Sequence, residues 1–218
     1  MFKMQMPTWL SSLFNRILRT LYPSSQGSDR DSTIAPTFFY VRHSSLCLRQ
    51  GEVLYNLYEF KLQIPQSTPF DAEQGVKFDP VEHLYAVVTS QDCDLEQDYK
   101  ARAGEVPLDK MLSHVLFCSL FPQDEIRYKS GLHTEPMRRV RQNQDERYHY
   151  LSQAPVNGTQ DMLPELIADF KTTFSLPTEF VYWLLSTSQA ARKGALPSPY
   201  LEDFMHRLYT FLGRVATP

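Results

Sequence analysis

An acidic segment at residues 90–98 is the densest group of side chains that could do chemistry. Its acids stand at alternate positions: Asp92, Asp94, Glu96 and Asp98. Calcium and magnesium bind several carboxylate oxygens that converge from a tight loop. A calcium loop beginning at Asp92 would need glycine at its sixth position, where Gln97 stands. We therefore predict a solvated acidic surface and no metal site.

Cys93 lies in the same segment and could be considered as a nucleophile. A reactive thiolate needs positive charge or a helix N-terminus nearby, whereas Cys93 is flanked by two aspartates. The three cysteines form no Cys-x-x-Cys pair, the six histidines form no His-Glu-x-x-His motif, and the chain has no glycine-rich phosphate-binding motif. We expect a packed cysteine, no cofactor and no nucleotide chemistry of the dinucleotide or P-loop type.

Positive charge gathers between residues 127 and 147. The candidate residues for binding RNA or a protein partner are Arg127, Lys129, Arg138, Arg139, Arg141, Arg147 and Tyr148. Six cationic residues stand against three acidic ones there, and Tyr128 and Tyr150 also interleave with them. Arginines that hold phosphates beside aromatic rings that stack bases are typical of single-stranded RNA grooves. A charged surface loop and a site for a charged protein partner remain open alternatives.

The composition indicates a folded protein of 218 residues, with 42% hydrophobic and 22% charged residues. A net charge of -3 argues against a protein built mainly to coat nucleic acid. No apolar run has the roughly 20 residues that a transmembrane helix needs, and no secretory signal pattern is seen at the N-terminus. We predict a cytoplasmic protein.

The N-terminal residues 1–22 are predicted to form an amphipathic helical arm, followed by a polar linker at 23–36. The contact side chains of the arm recur at helical spacing: Trp9, Leu13, Phe14, Ile17 and Leu21. The charged residues between Met1 and Ser28 are Lys3, Arg16 and Arg19. The arm could fold onto its own domain, bind a partner or a second copy, or contact a membrane surface.

Short β-rich runs follow the linker, at Thr37 to Val41, Val53 to Ile64, Leu84 to Ser90 and Val115 to Leu120. Their long connections favour a small, strongly bent barrel at 37–154. Pro177 and Pro199 each open a predicted helix in a helical C-terminal subdomain, 155–218, while 170–176 could be helix or strand. The predicted fold class is α+β.

Three of these segments resemble motifs of the MazF/PemK-like toxin family. They are Gln50-Gly-Glu-Val-Leu54, Leu84-Tyr-Ala-Val-Val-Thr-Ser90 and Val115-Leu-Phe-Cys-Ser119. The resemblance covers residues 50–122 and implies an SH3-like β barrel, cleavage of single-stranded RNA and pairing with an antitoxin. The chain departs from the family where an arginine precedes the second motif, since His83 and Leu84 stand there. Only Ser119 loosely matches the family's hydroxyl residue.

Two functions are predicted from these features. The first is a non-catalytic toxin-fold interaction module in a bacterial toxin-antitoxin, defence or regulatory system, binding a protein partner. The alternative is a metal-independent endoribonuclease in which His83 and Ser119 act with an arginine from Arg138, Arg139 or Arg141. Such cleavage needs a base for the 2'-hydroxyl and a cation for the phosphorane.

Overall fold

A six-stranded antiparallel sheet forms the centre of the computed structural model, which describes residues 46–63, 77–132, 134–156 and 162–214. The strands are β1 Glu52–Gln63, β2 Lys77–Val88, β3 His114–Pro122, β4 Tyr148–Leu151, β5 Ala154–Pro155, β6 Met162–Leu163, β7 Leu166–Pro177 and β8 Ala191–Ala195. The helices are α1 Asp92–Arg102, α2 Gln123–Ser130, α3 Thr134–Arg141, α4 Thr178–Ser186 and α5 Tyr200–Leu212, with a 3₁₀ turn at Leu108–Lys110. The predicted arm, linker and strand at 37–41 lie outside the described residues.

The sheet order β4-β7-β3-β2-β1-β8 confirms a mixed α+β fold. The strands predicted around 53–64, 84–90 and 115–120 are confirmed as β1, β2 and β3. Residues 155–218 were predicted to be helical, but they also supply β7 and β8 to the sheet. β4 and β8 stand at opposite edges, so the sheet is not closed into a barrel among the described residues.

β2 begins earlier than its apolar run suggests, because β1 supplies a partner for the polar residues that precede that run. Pro80 lies opposite Phe60 in this pairing. Proline cannot donate a ladder hydrogen bond and is tolerated where a strand has one neighbour. This condition holds at Pro80, since β3 pairs with β2 only at 85–88.

Two hydrophobic clusters pack on opposite faces of the sheet. Val87 belongs to the cluster beneath α5, whereas Ala86 and Val88 belong to the cluster beneath α1 and α4. Alternate residues of a strand point to opposite faces, so β2 is buried on both sides here, as its apolar run predicts. A third cluster attaches α2 and α3 to β4 and β7 through Ile126, Met137 and Val140.

The acidic segment forms the first turns of α1, and the expectation that it is solvated is wrong for Asp98. This carboxylate is 0% exposed. It accepts hydrogen bonds from Arg102 Nε at 3.0 Å and from the Leu112 backbone N–H at 2.8 Å. Helical spacing places Asp98 and Arg102 one turn apart, so the buried charge is paired within its own helix.

Candidate functional site

Several of the predicted site residues line a cleft of about 430 Å³ beside α2 and α3, called the arginine cleft below. Its lining residues are Gln123, Arg127, Thr134, Met137, Arg138, Arg141 and Gln142. The structure therefore brings together three of the predicted basic residues, and none of these seven lining residues is acidic. Met137 is buried and belongs to the cluster that attaches α3 to the sheet.

Arg141 is held from two sides. Its Nε donates to Gln123 Oε1 at 2.6 Å, and its Nη2 donates to Glu165 Oε2 at 3.3 Å. The other Glu165 oxygen accepts from the Tyr150 hydroxyl at 2.7 Å. Burial, together with the Glu165 hydrogen bond, raises the pKa of Tyr150 to about 12, so this hydroxyl stays protonated. These contacts orient the guanidinium and do not use Nη1.

The other two arginines of the cleft differ in their partners. Arg138 makes a two-point contact with Glu135, at 3.1 Å from Nε and 2.5 Å from Nη2. The Arg127 side chain has no hydrogen bond or ion pair with another residue in the described part of the chain. Arg127 can thus bind an incoming anion without giving up a carboxylate partner.

The cleft combines an apolar interior with a basic rim. Arginine side chains cover neighbouring surface with their methylene groups while the charged end stays in water. Three arginines line the cleft together with Met137. A group with an apolar body and a nearby negative charge matches this arrangement.

The remaining predicted basic residues lie outside the cleft lining. Arg147 forms a two-point ion pair with Asp169, at 2.7 Å and 2.5 Å, and its guanidinium lies 4.8 Å from the Tyr148 ring centre. Lys129 binds the carboxylate of Glu125 at 2.6 Å. Arg139 has a long contact of 3.5 Å to the Gln144 carbonyl. The Tyr148 side chain is buried, and its hydroxyl donates to Ser130 Oγ at 3.1 Å.

The two predicted catalytic residues lie in contact in the sheet. His83 Nδ1 is 3.0 Å from Ser119 Oγ, and His83 Nε2 is 3.3 Å from Glu59 Oε2. Ser119 Oγ also donates to the Thr172 carbonyl at 3.0 Å. The four residues belong to β2, β3, β1 and β7, which are neighbours in the sheet, so this polar row crosses four strands. Glu59 and Thr172 were missed because only strand pairing brings Glu59 to His83 and Thr172 to Ser119.

Burial lowers the pKa of His83 against the opposing effect of the Glu59 carboxylate, so the neutral imidazole is favoured near pH 7. A neutral imidazole can accept a proton. The adjoining cavity of about 230 Å³ is lined by the carboxylates of Glu82 and Glu125, and Ser119 is only 1% exposed. This setting is unfavourable for an RNA phosphate.

Helix α2 separates this cavity from the arginine cleft. Gln123 and Arg127 are four residues apart and share the face that lines the cleft, whereas Glu125 faces the His83 cavity. The arginine partner predicted for His83 and Ser119 is therefore not beside them. His83 instead contacts a carboxylate, that of Glu59.

No grouping of three or more His, Cys, Asp or Glu side chains that could hold a metal ion occurs in the described ranges. No helix among those ranges is long and apolar enough to cross a membrane. No protein-family model matches the chain, and no curated protein matches it. The resemblance to MazF/PemK-like toxins therefore rests on the three motifs of residues 50–122.

Proposed function

We propose that this protein is a non-catalytic interaction module whose arginine cleft binds an acidic segment with an apolar anchor residue on a protein partner. The observation that carries this proposal is that Arg127, Arg138 and Arg141 line one cleft together with Met137, without a carboxylate in the lining. Burying one apolar side chain in such a cleft contributes about 1.5–3 kcal/mol. Complementary charge at the rim adds orientation and faster association.

The proposal places the module in the cytoplasm, in a bacterial toxin-antitoxin, defence or regulatory system, with an SH3-like core to which β7 and β8 also contribute strands. The toxin-family resemblance is the source of this context. The resemblance is supported by the strands β1, β2 and β3, which carry the three motifs and pair in this order as antiparallel neighbours. Antitoxin-like partners with acidic, apolar segments would suit the arginine cleft.

A binding measurement with matched charge variants tests the proposal. The probe is a fluorescent peptide with one leucine between runs of glutamate, and the readout is fluorescence anisotropy. Arg138→Glu and Arg127→Glu should each weaken binding about tenfold or more, the equivalent of about 1.4 kcal/mol. Arg139→Glu makes the same charge change on the same helix as Arg138→Glu but outside the cleft lining, and should change binding much less. Equal losses in all three variants would refute the cleft and point to net charge.

The second candidate is the metal-independent endoribonuclease, which the His83–Ser119 contact at 3.0 Å favours. In this role the neutral imidazole would take the proton of a 2'-hydroxyl. The test is mixed-sequence single-stranded RNA incubated with the protein and a chelator, read for cleavage and for retardation. Cleavage abolished by His83→Ala would replace the interaction proposal, and retardation without cleavage would make RNA the ligand of the cleft. RNA that stays intact and unbound would rule out the nuclease and leave the protein-binding proposal in place.

A further inference from the structure

A second surface, distinct from the arginine cleft, carries large apolar side chains, of which Phe180 is half-buried and the others are exposed. It consists of Phe60, Leu62, Phe78, Phe180 and Trp183 and is called the aromatic patch below. Phe60 is 58% exposed, Phe78 61% and Trp183 48%. Such large apolar residues are normally exposed singly, whereas a joined group marks an interaction site.

The members of the patch are joined by strand pairing and ring contacts. Leu62 lies opposite Phe78 in the β1–β2 pair, and Phe60 is two residues from Leu62, on the same strand face. The Phe60 ring centre is 6.3 Å from that of Phe180. Phe180 in turn stacks on Trp183 at 5.8 Å, with 16° between the ring planes. The patch therefore runs from the end of the hairpin onto α4.

We propose that the aromatic patch is the docking site for residues 8–22 of the same chain. This segment lies outside the described residues. Its apolar side chains recur at helical spacing: Trp9, Leu13, Phe14, Ile17 and Leu21. A stripe of this kind matches an exposed apolar surface that crosses from a hairpin to a helix. The proposal does not depend on the function assigned to the arginine cleft.

Charge favours this pairing over docking in the arginine cleft. The N-terminal 28 residues contain Lys3, Arg16 and Arg19 and no acid. Glu82 lies on β2 four residues beyond Phe78 and is exposed, and Glu179 precedes Phe180. Glu179 also faces Arg102 at 3.4 Å, which leaves its other side to an incoming cation. A basic segment is repelled by the three arginines of the cleft, whereas Glu82 and Glu179 balance the charges of Lys61 and Lys77 around the patch.

The length of the intervening chain favours the chain's own segment over a second copy. The first described residue is Leu46, whose carbonyl accepts a hydrogen bond from Arg192 Nη2. Arg192 lies opposite Leu54 in the β1–β8 pair. Leu54 and Phe60 are separated by about 20 Å along β1. The 14 residues of the predicted linker at 23–36 span about 21 Å on average as a flexible chain, and residues 37–45 add further reach. A tether that matches its span gives an effective concentration in the millimolar range, far above that of a second copy at micromolar concentration.

The experiment uses the two tryptophans of the full-length chain, Trp9 and Trp183. Trp9→Phe leaves Trp183 as the sole reporter, and its accessibility is read by acrylamide quenching. Adding Leu13→Glu and Ile17→Glu should raise the quenching constant about twofold, because a covered ring returns to half-exposure. Ser12→Glu, a charge of the same sign on the polar side of the segment, should leave it unchanged.

A change on the patch side gives the complementary measurement. Phe78→Ser lies away from Trp183 and should also expose it, whereas Leu108→Ser, at an exposed apolar residue outside the patch, should not. The result should not change between about 1 and about 50 µM protein, since tethered docking is independent of concentration. Equal quenching in all variants would overturn the proposal. Protection that rises with concentration together with a doubled mass would overturn it in favour of a second copy.

Discussion

Acidification is expected to destabilise the fold through His149 on β4. This side chain is 3% exposed, and its ring centre lies 5.1 Å from that of Phe204 and 6.3 Å from that of Phe170. Its Nδ1 atom has no hydrogen-bond partner among the described residues. Burial, and to a lesser extent the positive charge of Arg207, lowers the pKa of His149 from its ordinary 6.5 to about 3.

The sign of the effect follows from proton linkage. The unfolded chain binds a proton at His149 near pH 6.5, and the folded chain does so only near pH 3. The unfolded state therefore gains protons first as the pH falls, and the stability that is full above about pH 7 is lost progressively toward pH 3. At pH 4 the two pKa values give a loss of about 3 kcal/mol from this residue.

Urea unfolding of the full chain at pH 7.5 and at pH 4 measures this loss. His149→Phe keeps an aromatic ring between its neighbours but cannot titrate, so its free energy of unfolding should fall about 3 kcal/mol less than that of the wild type between the two pH values. His206→Gln removes an exposed histidine from α5 and should behave as the wild type. If His149→Phe loses as much stability as the wild type, His149 does not cause the acid sensitivity.

Two further predictions concern stability and use matched variants measured by urea or thermal unfolding. Gly51→Ala places a side chain at φ +79° with its Cβ 2.7 Å from Leu201 Cδ1, while Gly104→Ala meets the same backbone strain at φ +78° with nothing within 4 Å. Gly104→Ala should lower the free energy of unfolding by roughly 1–2 kcal/mol through backbone strain, and Gly51→Ala by about 1 kcal/mol or more beyond that. Equal losses would show that the Leu201 side chain moves aside without cost. Asp98→Ala should lose about 3–5 kcal/mol because it leaves a paired charge without its partner. Glu96→Ala, on the same helix, removes an exposed pair and should lose under about 1 kcal/mol, so similar losses would contradict the burial argument.

Local sequence patterns were sufficient for several elements. β3 and the apolar part of β2 followed from continuous apolar runs, and α4 and α5 followed from the prolines that precede them. These features depend on steric and burial preferences of neighbouring residues, which a linear pattern records. The ambiguous stretch at 170–176 became a strand because β3 pairs with β7 at residues 173–176.

For the candidate sites too, the sequence predicted some features and the structure was needed for others. The basic residues between 127 and 147 and the His83–Ser119 pair were found from residue type and a family resemblance. The structure decided that Arg127 faces Arg138 and Arg141 across a cleft while Arg147 is used by Asp169, since these partners meet only when α2, α3 and β7 are packed together.

The sequence by itself determined the residue types available, the apolar runs and the ends of several helices, because each of these depends on residues close in the chain. Only the tertiary structure decided that His83 meets Glu59, that Asp98 is buried, and that helix α2 separates a basic cleft from an acidic cavity. Hydrogen bonds between strands and the burial of charges join residues far apart in the chain, and their geometry is set once the whole sheet has been assembled.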